Sequence, residues 1–242
     1  MRIFRRIRQK LLNIKNWKTY LFYAISEVLL VVLGILIAVQ VNTLKNNKDS
    51  IELERKILLE IENNLTGDLI ELKDELESFK IILKVDSILI EHFQSNRPYD
   101  DSIGAHIHVI EMSPHYSPTR SGYNLLESKG IDLITNDSLR IQITDFYERR
   151  IPYYFTYAEE RYQMVETLII PFLTKHFYLE KYHKWPHRKR VPINYEYLLN
   201  DASLITLIQS SSYHASVMSK RSRKLNLEIE SLQKQIKTFL VN

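Results

Sequence analysis

The chain has no cysteine among its 242 residues, which excludes thiol nucleophiles, disulfides and thiolate metal ligands. Five glycines, seven prolines and hardly any segment of alternating polarity leave little sequence for a β-sheet. The sequence also contains no signature of a phosphate-binding loop, a dinucleotide-binding glycine motif, a zinc-protease helix or a nucleophile elbow. We therefore expect an all-α protein that is not an enzyme, with no catalytic residue and no cofactor.

Residues 21–44 form a long apolar run that contains one acid, Glu27, and no Lys or Arg. As a helix these 24 residues reach roughly 36 Å, against about 30 Å for the hydrocarbon core of a bilayer. The end of the run lacks the small-x-small site at which a signal peptide is cleaved. The sequence therefore predicts an uncleaved transmembrane helix over residues 21–44.

Basic residues crowd the segment before this run, since residues 1–20 carry seven Lys or Arg and no acid. Residues 45–56 mix both signs. The positive-inside rule then predicts a basic cytoplasmic tail over residues 1–20 and an extracytoplasmic, periplasmic domain over residues 45–242, anchored in the inner membrane. The tail accounts for the formal net charge of +4. A short basic tail next to a span is an orientation signal that also contacts anionic lipid headgroups, so the lipid bilayer is an expected partner and nucleic acid is not.

One face of the predicted transmembrane helix is small and polar. Glu27, Gly34 and Ala38 fall within about 40° of one another on a helical wheel. Small residues four apart let two helices approach closely, and an ionisable residue in a span usually faces protein or water. These three residues are our candidate contact face for self-association, although Glu27 at the headgroup boundary, with the span starting at Val28, explains the same pattern.

Heptad spacing predicts two long helices in the outer part, over residues 51–93 and 212–240. The first carries a stripe of Leu and Phe flanked by charged residues, Glu75 among them, which we assign to a solvated face. A third helix is expected over residues 138–176, kinked or interrupted at Pro152. The two stripes can pack antiparallel with the third helix between them, which gives one domain, an up-and-down bundle of long helices.

Shorter elements are predicted between these helices. A helix over residues 119–129 should end at Gly130, and Asn136 or Asp137 should cap the next one. Residues 95–118 have three prolines and no sustained period, so we expect a loop there. A short apolar helix is expected over residues 195–208.

Histidines supply a candidate metal site at His106 and His108, with Glu111 and His115 nearby. Alternate histidines on an extended segment project to the same side, and imidazole binds zinc, copper or nickel. Solvated histidines in a loop are the alternative. Whether this region binds metal stays open, and we assign no metal ligand.

A basic loop later in the chain interleaves cations with aromatic rings. Its candidate contacts with an anionic surface are Lys181, Lys184, Trp185, Arg188, Lys189 and Arg190. This composition suits lipid headgroups or anionic glycans, and a solvated basic hairpin is the alternative.

A second aromatic and arginine cluster gives a candidate ligand pocket at Tyr147, Tyr154 and Arg161. At helical spacing such tyrosines also suit a bundle core. Arg161 falls on the apolar stripe, where it should need an acidic partner.

Two segments resemble a family of uncharacterised membrane proteins from Bacteroidota. They are the run from Glu27 to Asn42 after the basic opening Phe4–Lys10, and the block from Leu125 to Asn136 followed by Phe146 and Tyr147. The resemblance implies a short basic tail, one span and a helical outer part, and it implies no activity.

Together these features predict a single-pass membrane protein whose outer bundle mediates protein contacts. It would be a homo-oligomer or would bind another envelope protein as an interaction or scaffold protein. The alternative is a ligand-sensing bundle that signals through a partner, since a 20-residue tail leaves no room for an output domain.

Overall fold

A computed structural model of the protein describes residues 17–180 and 189–241. The chain divides into two compact units, unit 1 over residues 1–54 and unit 2 over residues 55–242. The first described helix, α1 (Trp17–Gln94), contributes to both units and includes both the predicted transmembrane helix and the predicted helix over residues 51–93. The fold class is all-α, as predicted.

Between Leu21 and Leu44, unit 1 exposes its apolar side chains. The large apolar residues between Leu21 and Leu44 have exposed fractions from 45% at Val32 to 75% at Phe22, so the protein does not cover them. This part of α1 is long enough and apolar enough to cross a membrane. Gly34 also faces open space, since a Cβ placed there would meet nothing within 4 Å.

Unit 2 contains the remaining described elements. In chain order they are α2 (Asp101–Ile110), α3 (Ser121–Lys129), a 3₁₀ turn (Ile131–Leu133), α4 (Asp137–Asp145), α5 (Ile151–Met164), α6 (Ile170–His176), β1 (Phe177–Leu179), β2 (Arg190–Pro192), α7 (Tyr195–Leu199) and α8 (Ala202–Val241). The two strands form a small antiparallel ladder in which Phe177 pairs with Pro192.

The predicted antiparallel packing of the two long stripes is confirmed by bonds between α1 and α8. Arg55 donates to the carbonyl of Leu240 (2.8 Å), whereas Ser222 donates to Glu75 (2.7 Å), so residue numbers rise on one helix as they fall on the other. Tyr154 on α5 also bonds Glu75. Further along both helices, Arg161 on α5 interacts with Asp86 on α1, so the α4–α6 segment runs parallel to α1 and residues 95–136 make the return between them.

The prediction of a loop over residues 95–118 is wrong in part, because α2 lies within it. Asp100 caps this helix by accepting from the backbone N–H of Ser102 (2.8 Å). The apolar residues that follow lie three and four apart and are buried: Ile103, Ile107 and Ile110. A helix of ten residues was missed because its period lasts less than three turns.

Pro152 does not interrupt the third predicted helix. Helical backbone continues from α4 to α6 through two π-helical turns, Phe146–Arg150 and Val165–Ile169, and each turn ends two residues before a proline. A wider turn of this kind accommodates a residue that has no N–H and whose ring crowds the preceding carbonyls. The chain thus reaches His176 with its buried face preserved.

The last helix begins ten residues earlier than predicted. The expected helix over residues 195–208 is divided after α7, where Asp201 accepts from the backbone N–H of Ser203 (2.9 Å) and caps α8. In contrast, the predicted end at Gly130, which has a φ of 100°, and the cap at Asn136 are confirmed.

Candidate functional site

Buried acids interrupt the apolar stripe of α1 in unit 2. From Leu65 to Phe93 a row of buried positions recurs three and four residues apart, with Val85 and His92 buried beside it, and Asp68, Glu75 and Asp86 occupy three positions of the row. We call these three residues the acid stripe. A buried carboxyl group needs partners, so each member identifies what packs against it.

Asp68 fixes the segment that follows α2. It accepts from the hydroxyl of Tyr116 (2.9 Å) and from the backbone N–H of Thr119 (3.0 Å). Burial raises the pKa of Asp68, and these two bonds act against the rise. Burial and the nearby carboxylate also raise the pKa of Tyr116. The carboxylate therefore holds the loop onto α1.

Glu75 joins three helices at one level of the core. Its carboxylate accepts from Tyr154 on α5 (2.5 Å) and from Ser222 on α8 (2.7 Å). Burial raises the pKa of Glu75 despite these bonds, and burial beside the acid also raises the pKa of Tyr154. Tyr154 is thus a core residue with a specific polar partner.

Asp86 lies opposite Arg161 and Ser211, and all three side chains are buried, with exposed fractions of 0%, 1% and 0%. Neither carboxylate oxygen of Asp86 accepts a hydrogen bond. Burial raises its pKa to about 7, against smaller lowering effects of Ser211 and Arg161. The sequence predicts that Arg161 needs an acidic partner. In the structure Asp86 is the acid whose charge acts on Arg161.

Arg161 itself bonds to uncharged groups. Its guanidinium donates to the backbone carbonyls of Met112 (2.7 Å) and Ser211 (3.2 Å) and lies 5.5 Å from the ring centre of Phe79. Burial lowers the pKa of Arg161 to about 10, so it stays charged at neutral pH.

Tyr147, like Tyr154 and Arg161, is buried in the core of unit 2. Its ring stacks on Tyr123 with centroids 4.4 Å apart, and Arg120 lies over both rings. The three residues of the candidate pocket, Tyr147, Tyr154 and Arg161, are all buried in the core of unit 2, and Tyr154 also lies at the base of a surface groove between α5 and α8. Of the two interpretations made from the sequence, the structure favours bundle core.

Exposed tyrosine and arginine side chains line a surface groove between α5 and α8. Arg221 places its guanidinium over the rings of Tyr153 (4.9 Å) and Tyr157 (4.0 Å), whose hydroxyls are 3.0 Å apart. Arg150 and Lys224 also line the groove, and both pair with Glu228 (3.5 Å and 3.9 Å), so Arg221 is the cation that lies over the rings. The groove thus combines aromatic faces with positive charge.

The structure describes part of the candidate anionic-surface contact. Lys189 bonds Asp101 (2.7 Å), and Arg190 pairs with Glu111, so both cations already have carboxylate partners. The other four members, Lys181, Lys184, Trp185 and Arg188, lie outside the described residues.

The histidine region is helical, which changes the geometry assumed for it. His106 and His108 lie on α2, where residues two apart point to different sides. His108 instead bonds Glu111, which also pairs with Arg190. Within residues 17–180 and 189–241, no three His, Cys, Asp or Glu side chains are grouped so that they could hold a metal ion.

Sequence similarity now adds one finding. Residues 27–178 match a family of unknown function, DUF6090. The chain belongs to this family. The matched segment includes the acid stripe and Arg161, whereas Ser211 and Ser222 on α8 lie beyond it. No curated protein and no solved structure matches the chain.

Sequence reasoning missed the acid stripe because it assigned charged positions to solvent. Glu75 was placed on the solvated face, yet only 3% of it is exposed. A usable signal exists, since Asp68 and Glu75 are seven apart and Asp86 continues the same three-four spacing. On α8, Ser211 and Ser222 interrupt the partner stripe at the levels of Asp86 and Glu75.

Proposed function

We propose that this DUF6090 protein is a single-pass inner-membrane protein whose unit 2 lies outside the cytoplasm and binds other protein. The exposure of the apolar residues between Leu21 and Leu44 is the observation that carries the proposal. In water, so many uncovered apolar side chains are unfavourable, whereas in a bilayer they are solvated by lipid.

Charge supports the orientation. The excess of Lys and Arg in residues 1–20 favours a cytoplasmic N-terminus. The resemblance of residues 27–42 to single-span proteins of Bacteroidota agrees with this topology. On the same grounds we place residues 45–242 in the periplasm.

A role in protein contacts, not in catalysis, fits the use of polar groups in unit 2. Asp68 and Glu75 are bonded to tyrosine and serine inside the core, so these acids fix helix register. Arg161 is likewise bonded to backbone carbonyls. The interaction or scaffold role expected from the sequence is therefore our leading proposal, with a second copy or an envelope protein as the partner.

Self-association through Glu27, Gly34 and Ala38 can be tested by crosslinking. Because the chain has no cysteine, single Gly34→Cys and Ala38→Cys variants report contacts without background. Leu36→Cys is the matched control, since nine residues from Glu27 place it about 180° away on the helix. We expect disulfide dimers in membranes for the first two variants and little for the control. Equal crosslinking at all three positions, or none, contradicts the contact face.

A ligand-sensing bundle is the second candidate, and the groove beside Tyr153 and Arg221 is the observation that favours it. Aromatic rings under a guanidinium suit an anion with an apolar part. Affinity purification from solubilised membranes separates the two roles. Recovery of a partner with a cytoplasmic signalling domain supports sensing, whereas recovery of the protein with itself alone supports a scaffold.

A further inference from the structure

Among the described residues of unit 2, Asp86 is a buried acid with no hydrogen bond to either carboxylate oxygen. Both of its oxygens, the Nε of Arg161 and the hydroxyl of Ser211 are buried without a hydrogen bond, and they belong to three different helices. Buried polar groups are normally bonded, so several unbonded ones at one place need a physical explanation.

Arg161 has two sets of partners within its surroundings. In the structure it donates to the backbone carbonyls of Met112 and Ser211, which are uncharged acceptors. An ionised Asp86 is the stronger acceptor, because a charge-assisted bond is roughly twice as strong as a neutral one. The preferred partner of Arg161 therefore depends on whether Asp86 carries a proton.

We propose that Asp86 is a proton-binding site that selects the partner of Arg161. With the proton bound, Arg161 donates to Met112 and Ser211, as the structure has it. When the proton leaves to water, the guanidinium turns toward the Asp86 carboxylate and releases the Met112 carbonyl. The segment after α2 then loses one of its attachments to the core, while Asp68 keeps its bonds to Tyr116 and Thr119.

The surroundings of Asp86 place this change near neutral pH. Burial raises the pKa of Asp86 to about 7, and Arg161 on α5 is the charged group that opposes the rise. On α8 the facing groups are the hydroxyl of Ser211 and, one turn on, His214, whose pKa is lowered by burial and by Arg161. The packed segment after α2 contributes the carbonyl of Met112.

Methionine methyl groups give a direct readout, since the chain has only four methionines. The backbone carbonyl of Met112 accepts from Arg161, and Met164 lies one turn after Arg161 on α5. We propose to record methyl spectra of the full chain in lipid nanodiscs from pH 5 to pH 9. The Met112 signal should move with a midpoint near pH 7 in the native protein, and in Asp86→Asn it should stay at its low-pH position.

Two control variants identify the titrating group. His214→Gln removes the neighbouring imidazole and should keep the Met112 titration, and Asp74→Asn removes an exposed acid of the same helix and should also keep it. Loss of the titration in His214→Gln, or its persistence in Asp86→Asn, overturns the proposal.

Hydrogen exchange keeps the test valid if the Asp86→Asn spectrum is poorly resolved. Comparing native protein with the variant at each pH cancels the intrinsic pH dependence of exchange. Residues 111–117 of the native protein should exchange about tenfold faster than those of the variant at pH 8, and at the same rate at pH 5.5. Equal rates at both pH values contradict release of this segment.

Discussion

Two stretches of α1 use polar and apolar side chains in opposite ways. Between Leu21 and Leu44 the helix is almost entirely apolar and exposed, whereas between Leu65 and Phe93 it is amphipathic and buries Asp68, Glu75 and Asp86. Composition alone therefore does not indicate which residues the protein covers. The first stretch is not covered by the described residues, whereas the acids of the second are in contact with α5, α8 and the loop after α2.

This comparison separates two sources of stability. In the proposed topology lipid covers the apolar surface of the exposed stretch, which stabilises it by roughly 25 cal/mol per Å². The buried acids of the second stretch gain little net free energy from their bonds, but each bond fixes which residues lie opposite one another. Changes in the first stretch should therefore alter location, and changes in the second should alter the stability and register of unit 2.

The largest effect is expected from charges in the first stretch. Val32→Arg combined with Leu36→Arg places two cations at the centre of the apolar run, at a cost of about 2.5 to 3.5 kcal/mol each in a bilayer. We expect the protein to leave the alkali-washed membrane pellet. Ile70→Arg with Ile81→Arg, at exposed apolar positions of unit 2, is the matched control and should stay in the pellet. Equal retention of both variants removes the distinction between the stretches.

The next effect concerns pH and Asp86. Its pKa in the folded protein, about 7, is above its ordinary value of 3.8, so the folded state binds this proton more tightly. The resulting stability is fully present below pH 3.8 and is lost as the pH rises through 7. Relative to Asp86→Asn, the native protein should lose up to about 4 kcal/mol of unfolding free energy between these limits. Denaturant unfolding in detergent at several pH values measures this difference, and parallel curves for the two proteins speak against it.

Removing one hydroxyl from the acid stripe should have a smaller effect. Tyr154→Phe deletes a donor to the buried Glu75 and should lower the free energy of unfolding by about 1.5 to 3 kcal/mol. Tyr153→Phe, one residue away on the exposed face, should change it by less than about 0.5 kcal/mol. Similar losses in both variants indicate that Glu75 does not depend on Tyr154.

The smallest pair of effects compares two glycines. A Cβ on Gly122 would lie 2.8 Å from the backbone nitrogen of Ile61, so Gly122→Ala should cost about 1 to 3 kcal/mol by pushing α3 away from α1. A Cβ on Gly67 meets nothing within 4 Å, so Gly67→Ala should stabilise the helix by about 0.5 to 1 kcal/mol. Thermal unfolding of both variants checks the signs, and a loss at Gly67 means that this face is covered.

Much of the fold was predictable because it follows from periodicity. The long stripes and the end at Gly130 are local patterns, and each was confirmed. The acid stripe was not predicted, because a buried Glu75 is distinguished from a solvated one only by Tyr154 and Ser222, which are distant in sequence. Arg161 was the exception, since a charge on an apolar stripe indicates a partner before that partner is known.

Thiol labelling tests the central claim, that residues 21–44 span the membrane with unit 2 outside. Single cysteines at Asn13 and at Ser95 are free of background because the chain has none of its own. In spheroplasts, a membrane-impermeant maleimide should label Ser95→Cys at once and Asn13→Cys only after the membrane is permeabilised. Labelling of both positions from the outside, or of Asn13→Cys alone, would contradict the proposed topology.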